Sequence, residues 1–268
     1  MKLDFHGVEA TLLIALWARA KFSREYPSIF NDEKAIALVD QLDYDFSANE
    51  AAWRLEGALV IVARATQLDN LVRTYIGEHP QASVINIGAG LDTAFYRVDN
   101  GSIRWYDLDL PDVIEARRRV LPEPERTAYL STSLFDAQWC SDVTDTNNGV
   151  FLSAGGVLEW FDEVQVKRFF SRLADHFPHV EIALNSQSRM GRIITNWSLR
   201  RAGMKDIATK WVMRDARTMA TWDTRIEVID QFPMFKNFPR DPAWGVQIKR
   251  LMNLADMGGM YKIVHLRI

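Results

Sequence analysis

The run Val84-Ile-Asn-Ile-Gly-Ala-Gly-Leu-Asp-Thr93 holds the residues of this chain best suited to binding a ligand for chemistry. A short β-branched stretch stops at Gly88, and Gly90 follows two residues later. With no Cβ in the way, backbone N–H groups there can approach a ligand closely, at the carboxyl edge where open α/β sheets bind cofactors. Asp109 stands twenty-one residues after Gly88, at the end of a second strand-like run. A carboxylate at that place can accept hydrogen bonds from both hydroxyls of a ribose. A dinucleotide site wants Gly-x-Gly-x-x-Gly, with pyrophosphate on a helix N-terminus. Here Thr93 replaces the third glycine, and Asp92 would turn a carboxylate toward any phosphate. An adenosyl sulfonium carries no phosphate and is cationic, so these residues favour S-adenosyl-L-methionine over NAD. A nicotinamide oxidoreductase and a non-catalytic protein that binds the same cofactor stay open as alternatives.

The elements that must position this loop alternate. Ser83–Ile87 is the first strand, and Ile103–Tyr106 the second, ending in acidic residues; Pro111 opens the next helix, since proline suits a first helical turn. Ala128–Leu130, Gly149–Leu152 and Val180–Leu184 are three further strands. Before the last of them, Glu163–Phe177 carries Val166, Phe169, Phe170, Leu173, Ala174 and Phe177 at helical spacing. Strands alternating with helices imply a mainly parallel sheet covered on both faces. Arg225–Ile229 and Tyr261–Leu266 read as a hairpin-like pair at the sheet edge. The first eighty residues read as helices: one around Leu12 to Arg19, one capped by Asn31 or Asp32, one from Ala51 to Ala65 behind a Ser47/Glu50 capping box, and one from Asp69 to Ile76.

Size and charge narrow the classes. At 268 residues the chain suits one large α/β domain, residues 1–80 forming a helical cap and 81–268 the cofactor-binding core. A formal net charge of −3 gives no charge-driven nucleic-acid or membrane partner. One cysteine, Cys140, excludes an internal disulfide framework and a thiolate metal site, and it fits a reducing, cytoplasmic setting. Asp4, Glu9 and Arg19 argue against reading the N-terminus as an export signal. Most of the nine tryptophans, Trp139 and Trp160 among them, are expected to fill the core.

Five ordered blocks then carry a resemblance: Val62–Asp69, Val84–Val98 (VINIGAGLDTAFYRV), Trp105–Val113 (WYDLDLPDV), Thr132–Trp139 and Leu152–Phe161. Together they resemble the leucine carboxyl methyltransferase family, and within it the polyketide O-methyltransferase branch, over most of the chain. The resemblance implies a class I S-adenosylmethionine-dependent methyltransferase fold, with a Rossmann-like, seven-stranded, mainly parallel sheet and an N-terminal helical cap. It implies O-methylation of a small-molecule carboxylate or phenol, and no metal. Residue by residue, it puts Arg64 on the methionine carboxylate, Gly88 and Gly90 along the methionine moiety, Asp109 on the ribose, and Ser133 with Leu134 at the adenine. Lys21 falls where the family has a further basic contact. One departure stands out: the family's glutamate after the fourth strand is here Gly155. Its role passes to Glu159, to Asp92 or to a water molecule.

Histidines offer few candidates for a general base. His79 precedes the first strand and His176 and His179 the fifth, which places them at the sheet edge opposite the cofactor, and His265 is on a terminal strand. That leaves His6, and the scarcity favours an acceptor already anionic at neutral pH. The fifth strand, if it ends near Leu184, sends Asn185 to Arg189 out on the cofactor side. Arg189, the fixed positive charge in that run, is the expected substrate-binding residue.

Overall fold

A computed structural model describes residues 11–268, without the side chains of residues 48–54 and 56; His6 and most of the segment behind the export question fall in the first ten residues, and the Glu50 side chain is likewise outside what is described. Three helices come first: α1 (Thr11–Glu25), α2 (Glu33–Gln41) and α3 (Ser47–Glu78). Asp32 caps α2, its carboxylate accepting from the Ala35 amide at 2.9 Å. The two helices expected across 51–76 are one. The helix also starts earlier, at Ser47, behind Phe46, which provides no side-chain cap; the expected capping box involves the Glu50 side chain and lies outside the described residues. Nothing between Ala65 and Asp69 breaks a helix, and propensity carries the chain straight through.

Seven strands follow: β1 (Ser83–Ile87), β2 (Arg104–Asp109), β3 (Thr127–Ser131), β4 (Val150–Ala154), β5 (Glu181–Gln187), β6 (Glu227–Pro233) and β7 (Tyr261–Arg267). Their order is β3-β2-β1-β4-β5-β7-β6. The first five run parallel and β7 runs antiparallel to both its neighbours. The expected edge pair is real, but β7 inserts between β5 and β6, and a helix, α9 (Val246–Met257), separates the two in sequence. Between the strands lie α4 (Ala94–Val98), α5 (Pro111–Val120), α6 (Gln138–Asp142), α7 (Glu163–His176) and α8 (Arg189–Arg201).

The period of two along each strand splits the core into two faces. Ile85, Tyr106, Leu152, Ile182 and Val264 pack with Val166, Phe169, Phe170 and Leu173 of α7. Their neighbours Val84, Trp105, Phe151, Ala183 and Ile263 pack with Leu59, Val62, Val72 and Tyr75 of α3. Thus α3 is more than a cap, because its second half covers one face of the sheet. A third cluster joins α1 and α2 to Leu91 of the glycine loop and to Ala116 and Leu121. The helical segment therefore braces the loop that the sequence singled out. Among the described residues no helix is long and apolar enough to cross a membrane.

Candidate active site

The order in which the chain adds strands reverses between β1 and β4, and ligands of open α/β sheets sit in the crevice at such a switch point. A cavity of about 620 Å³ opens there. One end is polar, with Arg19, Arg64, Asp92 and Glu159 set around Gly88, Gly155 and Gly156. The other is apolar, walled by Ile194, Trp197 and Leu199 of α8, by Ile248, Leu251 and Met252 of α9, and by Phe235.

Backbone shape makes room at the polar end. Gly88 has φ +65°, and a Cβ on it would stand 2.6 Å from Val157 Cγ2. Gly156 has φ +79°, and a Cβ there would meet Arg64 Nη1 at 2.6 Å. At Gly155, the position at which the resemblance implies a glutamate, a Cβ would lie 2.8 Å from Leu68 Cδ1. A side chain at that position would have to displace the end of Leu68 on α3.

Two charges of opposite sign face each other instead. Arg64, on α3, has its Nη1 4.0 Å from Glu159 Oε1, too long for a hydrogen bond. Burial pulls the guanidinium below its ordinary value, and Glu159 offsets this only in part. Such a cation calls for an anionic ligand. Asn185 Nδ2 donates to Glu159 Oε2 at 2.8 Å, while Asn185 Oδ1 accepts from the Gly156 amide at 2.6 Å. Asn185 therefore fixes both the carboxylate and the turn beside it.

The second acid, Asp92, pairs with Arg97, as their nearness in sequence suggests, and the pair belongs to a larger buried network. Arg97 donates to Asp69 at 2.7 and 3.0 Å, to Asp32 at 2.7 Å and to Asp92 at 3.3 Å. Arg19 reaches Asp32 at 3.2 Å and the Leu91 carbonyl at 2.8 Å. Four elements are tied to the glycine loop this way. Burial disfavours the Asp92 charge, yet Arg97, Arg19 and the Thr93 amide outweigh it and hold the carboxyl at about 2. A folded value below the unfolded 3.8 means that this contribution is complete above pH 4 and is lost as pH falls through about 2. Asp92→Asn should therefore remove roughly 2 kcal/mol of the stability that the wild type loses over that interval. Acid titrations of denaturant midpoints measure it, and superimposable acid limbs would refute it.

The ribose and adenine candidates lie together at the neighbouring strand ends, where Asp109, Ser133 and Leu134 stand beside the cavity and, like Gly90, whose open side Leu12 covers, are not part of its wall. Asp109 Oδ2 accepts from the Gly90 amide at 2.7 Å and Oδ1 from Leu110 at 2.8 Å. Each oxygen keeps a lone pair for a further donor. Burial raises the Asp109 carboxyl, and those two amides pull it back. The Thr132 amide donates to the Asp109 carbonyl at 3.0 Å, which brings Ser133 and Leu134 alongside. Ser133 Oγ accepts from the Phe135 amide at 3.2 Å, and Leu134 is buried.

Two expectations fail on geometry. Arg189 is exposed and is not part of the cavity wall. Because β5 runs on to Gln187, Ser188 becomes the cap of α8 and Arg189 its first residue; Arg201, three turns later, lines the cavity instead. Lys21 pairs with Glu25 at 2.8 Å and lies off the wall, which Arg19 supplies. Trp139 is core, but Trp160 lines the cavity and donates its Nε1 to the Gly156 carbonyl at 2.9 Å. His79, His176 and His179 line a separate cleft at the far sheet edge, as expected, and His265 pairs with Glu181 at 2.8 Å. Burial pushes the Cys140 thiol up to about 11, which leaves it inert.

Residues 11–174 match the leucine carboxyl methyltransferase family. The tetracenomycin polyketide synthesis O-methyltransferase TcmP of Streptomyces glaucescens is 31% identical over 173 residues, 64% of this chain and 63% of that protein. The S-adenosyl-L-methionine-dependent methyltransferase dpfgK of Gibberella zeae is 25% identical over 275 residues, 95% of this chain and 92% of its own. The fold is shared with a candidate methyltransferase from Thermobifida fusca YX, at TM-score 0.60 and 15% identity over 97% of this chain and 94% of that one. It is shared also with a protein of Streptomyces avermitilis MA-4680, at 0.62 and 15% over 94% and 96%.

Proposed function

The chain belongs to the leucine carboxyl methyltransferase family, and from that premise we propose that it methylates an oxygen of a small, largely apolar organic acid, with a carboxylate as the acceptor group. The fold is that of the class I methyltransferases, and S-adenosyl-L-methionine is the cofactor. One observation carries the reading: a single cavity joins a charged end at the glycine loop to an apolar end between α8 and α9.

When bound, the cofactor supplies a methyl carbon on a sulfonium, open to in-line attack. In this reading Arg64 holds the α-carboxylate of its methionine part and Glu159, braced by Asn185, its ammonium. Asp109 receives the ribose hydroxyls, Gly88 allows close backbone approach, Gly90 lets Leu12 of α1 pack on the loop, and Ser133 with Leu134 border the adenine. The protein's work is then orientation and exclusion of water. Among the described residues no histidine lines the cavity, which supports an acceptor that needs no deprotonation.

Calorimetry with S-adenosylhomocysteine should give micromolar affinity, on the order of −8 kcal/mol. Heat from NAD and none from either adenosyl ligand would overturn the cofactor assignment. A panel of paired aromatic carboxylates and phenols, with methyl esters and ethers identified by mass, tests the acceptor. Esters formed at a rate flat from neutral to alkaline pH are expected. Ethers formed at a rate rising about tenfold per pH unit would instead show a hydroxyl acceptor.

A further inference from the structure

Two helices absent from the sequence reading, α8 and α9, concentrate exposed apolar surface. Of thirteen exposed large apolar or aromatic side chains among the described residues, eight lie on these two helices. On α8 they are Met190, Ile193, Ile194 and Trp197, with 190, 193 and 197 spaced to share one face. On α9 they are Val246, Leu251, Leu254 and Met257, the last 84% exposed. Trp197 and Leu251 are about half exposed and also line the cavity, so both apolar faces meet at its mouth. The Ser188 amide donates to the Met260 carbonyl at 2.9 Å, which sets the start of α8 beside the segment leaving α9.

Charge separates this face from the rest of the molecule. Helix α8 carries Arg189, Arg192, Arg200 and Arg201 and no acid, in a chain whose net charge is −3. Among the described residues none of these four arginines has a carboxylate within ion-pair distance. Arg192 donates to the Lys210 carbonyl at 3.0 Å, and Arg201 stacks over Trp197 at 4.6 Å. Helix α9 adds Lys249 and Arg250, while its Asp256 is engaged by the Phe235 amide at 3.1 Å. An apolar stripe flanked by uncompensated arginines is the pattern of a helix lying in a bilayer interface, where acyl chains take the stripe and anionic headgroups the cations.

We propose that the α8–α9 face docks on an anionic lipid surface, with the cavity mouth turned toward the bilayer. The near-neutral total conceals this, because the positive charge is segregated on one helix. An apolar acceptor dissolved in the membrane would then enter the cavity without crossing water. The docking does not depend on the methyl-transfer reading, since it is measured with neither cofactor nor acceptor.

The test is co-sedimentation with vesicles of phosphatidylcholine and phosphatidylglycerol, against vesicles of phosphatidylcholine alone. The bound fraction should be at least about tenfold larger on the anionic vesicles and should fall at high salt. Arg189→Glu with Arg200→Glu, and separately Ile193→Ser with Leu254→Ser, should each lower binding about tenfold with unchanged melting midpoints, because all four side chains lie off the cavity wall. No binding to either vesicle, equal binding to both, or variants that bind like the wild type would overturn the proposal. So would a dimer in sedimentation velocity that Ile193→Ser with Leu254→Ser turns into monomer without vesicle binding; the face would then join two copies of the chain.

Discussion

Asp107→Ala should cost about 3–5 kcal/mol of folding stability, whereas Asp109→Ala, two residues along the same strand, should keep most of the fold and lose cofactor. Asp107 points into the interior, where Arg117 Nη2 meets it at 2.7 Å and Asn86 Nδ2 and Trp105 Nε1 each donate to it at 3.0 Å. Arg117 is 1% exposed and also donates to the carbonyls of Gly90 at 2.9 Å and Asp92 at 2.7 Å. Without Asp107 a guanidinium stays buried without the carboxylate it touches, and two buried donors lose their acceptor. The loss is large because the desolvation cost remains after the attraction has gone. Asp109 is part-exposed at the strand tip, with oxygens that can accept more than the two backbone amides they hold. Its removal should weaken adenosylhomocysteine binding by about 1.5–3 kcal/mol, roughly ten- to 150-fold. Urea titrations and calorimetry on the two variants separate the roles. Equal losses of stability, or stronger cofactor loss in the Asp107→Ala protein that remains folded, would mean that the wrong acid has been placed at the ribose.

The second large effect concerns the charged pair at the other end of the cofactor. Arg64→Ala and Glu159→Gln should each weaken adenosylhomocysteine by about 1.5–3 kcal/mol, since each removes one charge-assisted contact to a zwitterion. Methylthioadenosine keeps the ribose and adenine and lacks the amino acid. Its affinity should be unmoved by either substitution and should fall with Asp109→Ala. Methylthioadenosine losing as much affinity as adenosylhomocysteine in the Arg64 and Glu159 variants would show that these residues shape the cavity in general. Gly155→Glu offers a check on the glutamate that the resemblance implies at this position. With a Cβ already 2.8 Å from Leu68 Cδ1, the variant should bind more weakly unless Leu68 is shortened as well.

The strands were legible because their signal is local. A β-branched run ending at Gly88 and an aromatic one ending in the acids up to Asp109 announce both where a strand stops and what stands at its tip, and β1 coincides with the run that marks it. Spacing of the apolar side chains marked α7 equally well, since one face of a helix repeats every three or four residues whatever it packs against. Glu159 could be named as an alternative acid from its nearness to Gly155. Its partnership with Asn185, twenty-six residues away, could not.

What the sequence by itself determined is therefore the succession of the strands, the glycine loop with its acid at the next strand tip, and the opposite-edge placement of three histidines. Each depends on neighbours along the chain or on the alternation of strand and helix. Tertiary structure alone decided which charges meet. Arg19, Asp32, Asp69 and Arg97 lie on four elements and come together through helix packing that no spacing encodes. It also decided the fate of Arg189. Three further residues of β5 moved the start of α8, and successive helical residues turn by about 100°, so a small shift in where a strand ends decides which arginine faces a cavity and which faces out.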